Sequence, residues 1–316
     1  MVVIIQEEKV KISNDIDIGA TIAFSDKNEK RPLVLLIMGT GSLDRDGNGF
    51  GFHSNIYKNM SDMFVNMGCV CVRYDKRGTH ESTGKTKTSG LSDLVNDAIN
   101  VIHYAKKLEY VDDSKVIVCG HSEGSQIATL ITQKEEVQGI ILLSGACTGL
   151  KEAMIYQNEL LLEEIKEMNG IKGWLLKKTI KQDNIEKQVN EVFEKAEECK
   201  KDSFFYRGAF FSKKYMKEHN ENTGEKYAQM IKEYNGKTLA ITGKADVQAD
   251  YRRLEMIASL DGVTIYTPEK VNHLLREIEE GDDNKIMDVK KQYKKLSKND
   301  IHEGTREQIA QWISSF

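Results

Sequence analysis

The chain has 316 residues, of which 40% are hydrophobic and 30% charged, and its net charge is −4. The pI of about 6.1 offers no basic face to nucleic acid, and a mean hydropathy of −0.49 without a long apolar run argues against a membrane span. The amino-terminal residues carry no basic leader typical of a signal peptide. The five cysteines are odd in number and have no metal-like spacing, and a chain of this length can bury a core without disulfides. We therefore expect a cytoplasmic protein of one large domain or two modest ones.

The first 40 residues are expected to form β structure. Short runs rich in β-branched residues occupy positions 2–5, 10–12 and 20–24, separated by polar turns. A continuously apolar strand follows at 33–38 and stops at Gly39-Thr40-Gly41.

Strands and helices then alternate along the chain. Helical spacing is found near 56–67, 91–102 and 126–133, and apolar strands are expected at 69–74, 115–119 and 139–143. Strands return at 238–242 and 263–267, and a last amphipathic helix contains Ile309, Trp312 and Ile313. Alternation with continuously apolar strands predicts an α/β fold, with a mostly parallel sheet covered by helices on both faces.

The alternation is interrupted by a long charged stretch. Residues 147–237 have helical spacing and no convincing strand, and at about 90 residues they are too long for an ordinary loop. We predict a discontinuous core of residues 1–146 and 238–316, with residues 147–237 as a helical cap. Residues 276–304 form a second charged excursion.

A serine stands in the pattern G-x-S-x-G at Gly120-His121-Ser122-Glu123-Gly124, between an expected strand and an expected helix. This is the context of a nucleophile elbow, in which the serine occupies a strained turn at the carboxyl end of the sheet. The alternative is an ordinary strand-to-helix turn with a capping serine.

A serine hydroxyl needs a base that is oriented by an acid, and the chain order Ser, acid, His is typical of this arrangement. His273 follows a strand and is the best-placed of the seven histidines. Asp246 follows the strand at 238–242 directly, and Asp250 and Asp261 are its competitors.

The backbone N–H groups of Glu123 and Thr40, with Gly41 as second choice to Thr40, are expected to bind the oxyanion. Glu123 follows the serine, and the other two belong to the loop after the strand at 33–38.

These residues resemble the α/β-hydrolase superfamily, and more narrowly the bacterial serine carboxylesterases of the feruloyl or acetyl esterase type. The motifs that carry the likeness are G-T-G-S-L-D-R-D at 39–46, R-Y-D-K-R-G-T-H-E-S at 73–82, the elbow at 120–124, D-V-Q-A at 246–249 and N-H-L at 272–274. The resemblance implies an α/β-hydrolase fold and hydrolysis of acyl esters through a serine-bound acyl-enzyme, without a cofactor.

Two positions depart from the family pattern. Ser42 replaces the usual proline, and His80 replaces a glycine, which would either bend that turn differently or place an imidazole near the site. In the cap, Trp174, Phe205, Phe210 and Phe211 are candidates to roof a substrate pocket together with His80, although packing within the cap explains the aromatic cluster equally well.

No metal site is expected. The run D-R-D-G-N-G at 44–49 mimics the start of a calcium loop, but position 55 is asparagine rather than glutamate and Arg45 would repel a cation. A structural loop in which Asp44 pairs with Arg45 is the better interpretation.

The leading hypothesis is thus a serine hydrolase that cleaves small to medium acyl esters with Ser122, His273 and Asp246. A thioesterase, an acyltransferase or a small-peptide hydrolase would use the same three residues, and a non-catalytic binding protein on this fold is the alternative of another class. The expected partner is a small ester substrate, with no nucleic acid and no membrane. An apolar patch on the cap would support a homodimer.

Overall fold

A computed structural model describes residues 3–179, 185–279 and 284–316. Its strands are β1 (Gln6–Ser13), β2 (Asp17–Phe24), β3 (Arg31–Ile37), β4 (Asn48–Gly49), β5 (Phe52–His53), β6 (Val70–Tyr74), β7 (Val111–His121), β8 (Gly139–Leu143), β9 (Ser203–Tyr206), β10 (Ala209–Ser212), β11 (Lys237–Ile241) and β12 (Val263–Tyr266). Its helices are α1 (Ile56–Asn66), α2 (Leu91–Ala105), α3 (Glu123–Ile131), α4 (Leu150–Glu167), α5 (Gly170–Thr179), α6 (Ile185–Glu198), α7 (Lys213–Glu221), α8 (Gly224–Glu233), α9 (Val289–Lys295) and α10 (Glu303–Ile313).

Eight strands form the central sheet in the order β1-β2-β6-β3-β7-β8-β11-β12. The six strands from β6 to β12 are parallel, and only β1 and β2 run antiparallel to their neighbours. In the register, Ile37 is opposite Gly120, His121 is opposite Leu143, and Leu143 is opposite Ile241. The segments that follow β3, β7, β8 and β11 therefore leave the sheet at one edge.

Both faces of the sheet are buried, as β3 illustrates. Leu33, Leu35 and Ile37 pack into a core that includes residues of α2 and α3, whereas Val34 and Leu36 pack into a core that includes residues of α1 and α10. A strand covered on both sides has no polar face, which explains why its sequence is continuously apolar. The predicted α/β fold with a mostly parallel sheet is confirmed.

The segment 147–237 carries α4 to α8 and a small core of its own, made by Val189, Val192, Phe193, Ala196 and Met216. Contrary to the expectation of helices alone, it also holds a hairpin of β9 and β10. The connecting residues Arg207 and Gly208 both have positive φ, 46° and 88°, as a tight two-residue hairpin loop requires. At the amino terminus, residues 3–5 lie outside β1, and residue 2 of that expected strand lies outside the described residues.

Candidate active site

Ser122 lies in a strained turn between β7 and α3, with φ 56° and ψ −121°. Backbone atoms pack so closely around this turn that a side chain at Gly120 or Gly124 would not fit. A Cβ on Gly120 would be 2.0 Å from the carbonyl oxygen of Gly124, and a Cβ on Gly124 would be 2.2 Å from that of Ile37. The two glycines of the motif are therefore needed for this turn, which directs Ser122 to the carboxyl edge of the sheet.

Asp246 and His273 meet at the same edge. Nδ1 of His273 lies 2.8 Å from Oδ2 and 3.1 Å from Oδ1 of Asp246, and both residues are buried. Oδ1 also accepts the backbone N–H groups of Gln248 and Ala249 at 2.8 and 2.9 Å. Fixed by these N–H groups, the carboxylate can hold the imidazole in one orientation.

Ser122 and His273 line one cavity of about 890 Å³. Among the described residues no hydrogen bond joins their side chains, and such contacts are often long before substrate binds. The structure thus brings Ser122, Asp246 and His273 together, whereas the competitor Asp250 caps the following 3-10 turn and pairs with Arg252 at 2.8 Å.

The loop after β3 passes directly over the serine. A Cβ on Gly39 would be 2.8 Å from the Cβ of Ser122, so only glycine permits this approach. Thr40 and Glu123, both predicted to bind the oxyanion, line the cavity. Gly41, the second choice, has φ 118° and is not among the described residues that line it.

His121 and Tyr57 connect this loop to the base, a role that sequence reasoning missed. The N–H of Gly39 donates to the Tyr57 hydroxyl at 2.9 Å, and that hydroxyl lies 3.0 Å from Nδ1 of His121. Nε2 of His121 lies 2.7 Å from the carbonyl oxygen of His273. The carbonyl oxygen of His273 can only accept a hydrogen bond, so we assign the proton of the His121 ring to Nε2. Nδ1 of His121 then accepts a hydrogen bond from the Tyr57 hydroxyl. Burial and the neighbouring His273 lower the pKa of His121 to about 3, which keeps the ring neutral.

Glu123 has a buried side chain held by an ionic network. Nζ of Lys76 lies 3.0 Å from Oε2 of Glu123 and donates to the carbonyl oxygen of Gly39 at 2.6 Å. The Tyr215 hydroxyl donates to Oε1, and Nε2 of His219 lies 3.5 Å from it. Although burial alone would raise the pKa of Glu123, Lys76, His219 and Tyr215 hold it well below its usual range.

Tyr215 and His219 stand four residues apart on α7, so the segment 147–237 reaches the nucleophile turn. Their i, i+4 spacing on an amphipathic helix was the one signal that sequence reasoning could have used. His219 is 2% exposed and lines the cavity; its Nε2 faces the Glu123 carboxylate at 3.5 Å, whereas its Nδ1 has no hydrogen-bond partner within the described part of the chain. Because buried polar groups are normally paired, this ring can serve as a polar anchor for a ligand.

The five residues predicted for the pocket lie elsewhere and do not line the described cavity. His80 is exposed and its Nε2 lies 2.9 Å from the carbonyl oxygen of Ser42. Trp174, Phe205 and Phe210 are each more than 60% exposed, and Phe211 stacks on Phe204 beside the small core of segment 147–237. Residues of α4 line the cavity instead: Leu150, Ala153, Met154 and Gln157.

The loop that mimics a calcium site is held by protein groups. Asp44 Oδ1 accepts backbone N–H groups of Asp46 and Asn48, at 3.0 and 2.8 Å. Arg45 pairs with Asp75 and Glu81, not with Asp44 as expected. In the part of the chain that the structure describes, no cluster of three or more His, Cys, Asp or Glu side chains could hold a metal ion.

Among the helices of the described residues, none is long and apolar enough to cross a membrane.

Comparison with known proteins assigns the chain to a family. The sequence matches the family described as serine aminopeptidase, S33, over residues 47–261, more than half of the chain. It is 28% identical over 123 residues to the esterase EstD of Thermotoga maritima, a match that covers 39% of this chain and only 29% of that relative.

Solved structures of low identity share the fold. Est1E of Butyrivibrio proteoclasticus with bound ferulic acid has a TM-score of 0.57 at 18% identity, covering 92% of this chain and 99% of that one. A putative hydrolase of Agrobacterium vitis has a TM-score of 0.58 at 16% identity, covering 98% and 99%. An esterase of Pyrococcus furiosus has a TM-score of 0.58 at 11% identity, covering 98% and 91%. The chain belongs to the S33 serine aminopeptidase family of α/β hydrolases.

Proposed function

We propose that this protein is a serine carboxylesterase that hydrolyses small to medium acyl esters through an acyl-enzyme. The observation that carries the proposal is the buried contact between Asp246 and Nδ1 of His273, beside a serine in a strained turn. An acid that orients an imidazole beside a serine hydroxyl that faces a cavity is the arrangement that activates a serine nucleophile. The esterase among the relatives supports an ester as substrate.

In the proposed first step, Oγ of Ser122 attacks the ester carbonyl while Nε2 of His273 takes the hydroxyl proton. The bond to the alcohol then breaks, and His273 returns the proton to the departing oxygen, leaving the acyl group on Ser122. In the second step, water loses a proton to His273 and attacks the acyl-enzyme, which releases the acid and restores the serine. Asp246 keeps its negative charge throughout and stabilises the imidazolium.

The N–H groups of Glu123 and Thr40 are proposed to stabilise the oxyanion of both steps. This assignment is supported by the close approach of Gly39 to Ser122, which brings the loop after β3 over the nucleophile. Lys76 fixes that loop to α3 because it binds the Gly39 carbonyl and the Glu123 carboxylate together.

Hydrolysis of 4-nitrophenyl esters from acetate to decanoate, and of methyl ferulate, tests the proposal in wild type and Ser122→Ala. We expect the variant to lose nearly all activity while it keeps the unfolding midpoint of the wild type. His53→Ala is a matched control because His53 is exposed and does not line the cavity. Wild-type turnover in Ser122→Ala would refute the assignment of the nucleophile.

An aminopeptidase is the second candidate, since the matching family carries that description. Aminoacyl 4-nitroanilides assayed beside the esters separate the two. If the anilides give the higher kcat/KM and the activity depends on Ser122, the substrate is a peptide rather than an ester.

A further inference from the structure

One wall of the cavity is cationic. Lys290, Lys291 and Lys294 of α9 all line it, together with Val289 and Tyr293 of the same helix. The three lysines are exposed, and none of them forms an ion pair with another described residue. Lys295, by contrast, lies near Glu279 at 3.9 Å and does not line the cavity. Among the described residues, these lysines therefore have no acidic partner to offset their positive charge.

Within the described residues, Glu123 is the only acidic side chain that lines the cavity. Its carboxylate is paired with Lys76 and is closed off by Tyr215 and His219, so it does not offset the lysines of α9. The chain as a whole has a net charge of −4. A cluster of positive charge on one wall of a cavity in an acidic protein creates a local field that attracts anions to that wall.

Because of the position of α9, the positive charge lies on the side of the site where Asp246 and His273 are. Oε1 of its Gln292 accepts from Nδ2 of Asn272, the residue before His273, at 3.1 Å. The Tyr293 hydroxyl donates to the side chain of Gln248 at 2.5 Å, and Gln248 lies two residues after Asp246. The helix thus packs against the segments that carry the proposed acid and base. Because the base protonates the departing oxygen or sulfur, the leaving group lies on this side.

We propose that the substrate is an ester or thioester whose alcohol or thiol portion carries a carboxylate or phosphate, bound by Lys290, Lys291 and Lys294. The inference rests on the proposed hydrolase function and adds the charge of the leaving group. Lysines on a solvent-exposed helix act as point charges, which suits an anionic group of variable geometry.

Two matched sets of esters test this proposal. In the first, 4-acetoxybenzoate carries a negative leaving group and methyl 4-acetoxybenzoate a neutral one, and 4-acetoxyphenyl phosphate replaces the carboxylate by phosphate. In the second, mono-4-nitrophenyl glutarate carries the charge on the acyl side, and its methyl ester is neutral. Each is assayed with wild type, with a variant carrying Lys290→Gln, Lys291→Gln and Lys294→Gln, and with a control carrying Lys30→Gln, Lys107→Gln and Lys232→Gln. The control lysines are exposed and lie outside the cavity.

For the α9 variant we expect kcat/KM toward the anionic leaving groups to fall about tenfold at low salt, and toward neutral esters by less than about twofold. Salt near 0.5 M should abolish the difference, since exposed charges are screened there. The control should change neither value. A larger loss for phosphate than for carboxylate would identify phosphate as the group on the alcohol or thiol portion that the lysines prefer. Equal losses for charged and neutral leaving groups, or a loss confined to acyl-side charge, would overturn the proposal.

Binding separates this proposal from the proposed function. In Ser122→Ala, calorimetry should find 4-acetoxybenzoate bound about tenfold more tightly than its methyl ester, with the preference lost when the three α9 lysines are also replaced. If wild type hydrolyses none of the esters but this preference is present, the esterase assignment fails and the anion site stands. If the preference is absent, the anion site fails whatever the wild type hydrolyses.

Discussion

Replacing Glu123 with glutamine removes the negative charge that Lys76 faces inside the protein. The side chains of Lys76 and Glu123 are only 9% and 3% exposed, and 3.0 Å separates Nζ from Oε2. In Glu123→Gln the ammonium keeps the Gly39 carbonyl at 2.6 Å but loses its counter-charge. Removing one partner of a buried ion pair typically costs about 3–5 kcal/mol. We expect the free energy of unfolding to fall by about 3 kcal/mol, since glutamine preserves the shape and an acceptor oxygen.

The pH dependence provides a second measure of the same pair. The folded protein holds the pKa of Glu123 below its ordinary value of 4.5. A carboxyl group with a lowered pKa stabilises the fold above its unfolded pKa, and this contribution is lost as the pH falls through the folded value. Wild type should therefore lose stability from about pH 5 downward. The stability of Glu123→Gln should change less over the same interval.

Urea unfolding followed by circular dichroism, at pH 7 and at pH 4, measures both effects. Lys76→Met and the double variant complete a thermodynamic cycle. Because the double variant leaves no uncompensated charge, its loss should be clearly smaller than the sum of the two single losses. Additive losses, or a Glu123→Gln variant with wild-type stability and pH dependence, would refute the buried ion pair.

Two further predictions concern the groups around His273 and the loop after β3. Asp246→Asn should reduce kcat by about 10⁴-fold, because the imidazole of His273 would lose its orienting anion. The control Asp250→Asn should leave kcat within about threefold of wild type. Equal effects of the two substitutions in steady-state kinetics would contradict the assignment of the acid. Tyr57→Phe should lower the free energy of unfolding by about 1–3 kcal/mol and reduce kcat more than it raises KM, since it leaves the buried N–H of Gly39 unpaired; an unchanged urea midpoint would contradict this role.

Much of the core could be predicted because its signals are local. The strand β3 is apolar at every position after Pro32, which follows from burial on both faces. The motif around Ser122 contains the glycines that the tight turn requires. Asp246 and His273 could be ranked because parallel strands end at a common edge, so the segments that follow them are neighbours.

The segment 147–237 was harder to interpret, because its aromatic residues suggest burial but do not indicate which neighbouring element would cover them. Phe205 and Phe210 form a T-shaped pair across β9 and β10, and they face solvent rather than the cavity. Arg207-Gly208 lies between two short aromatic runs, which is a pattern of a β-hairpin loop. Such short apolar runs also fit a helix, so the sequence left the choice between helix and hairpin ambiguous.

The sequence by itself determined the alternation of strands and helices in the core, the α/β class and the candidates Ser122, Asp246 and His273, because periodicity and turn chemistry are properties of neighbouring residues. Only the tertiary structure decided that Tyr215 reaches Glu123 across 92 residues and that His121 reaches the backbone of His273 across 152. It also decided that α9, within a stretch that reads as merely charged, forms a wall of the cavity. Contacts between distant segments depend on how whole elements pack, and no local pattern encodes that packing.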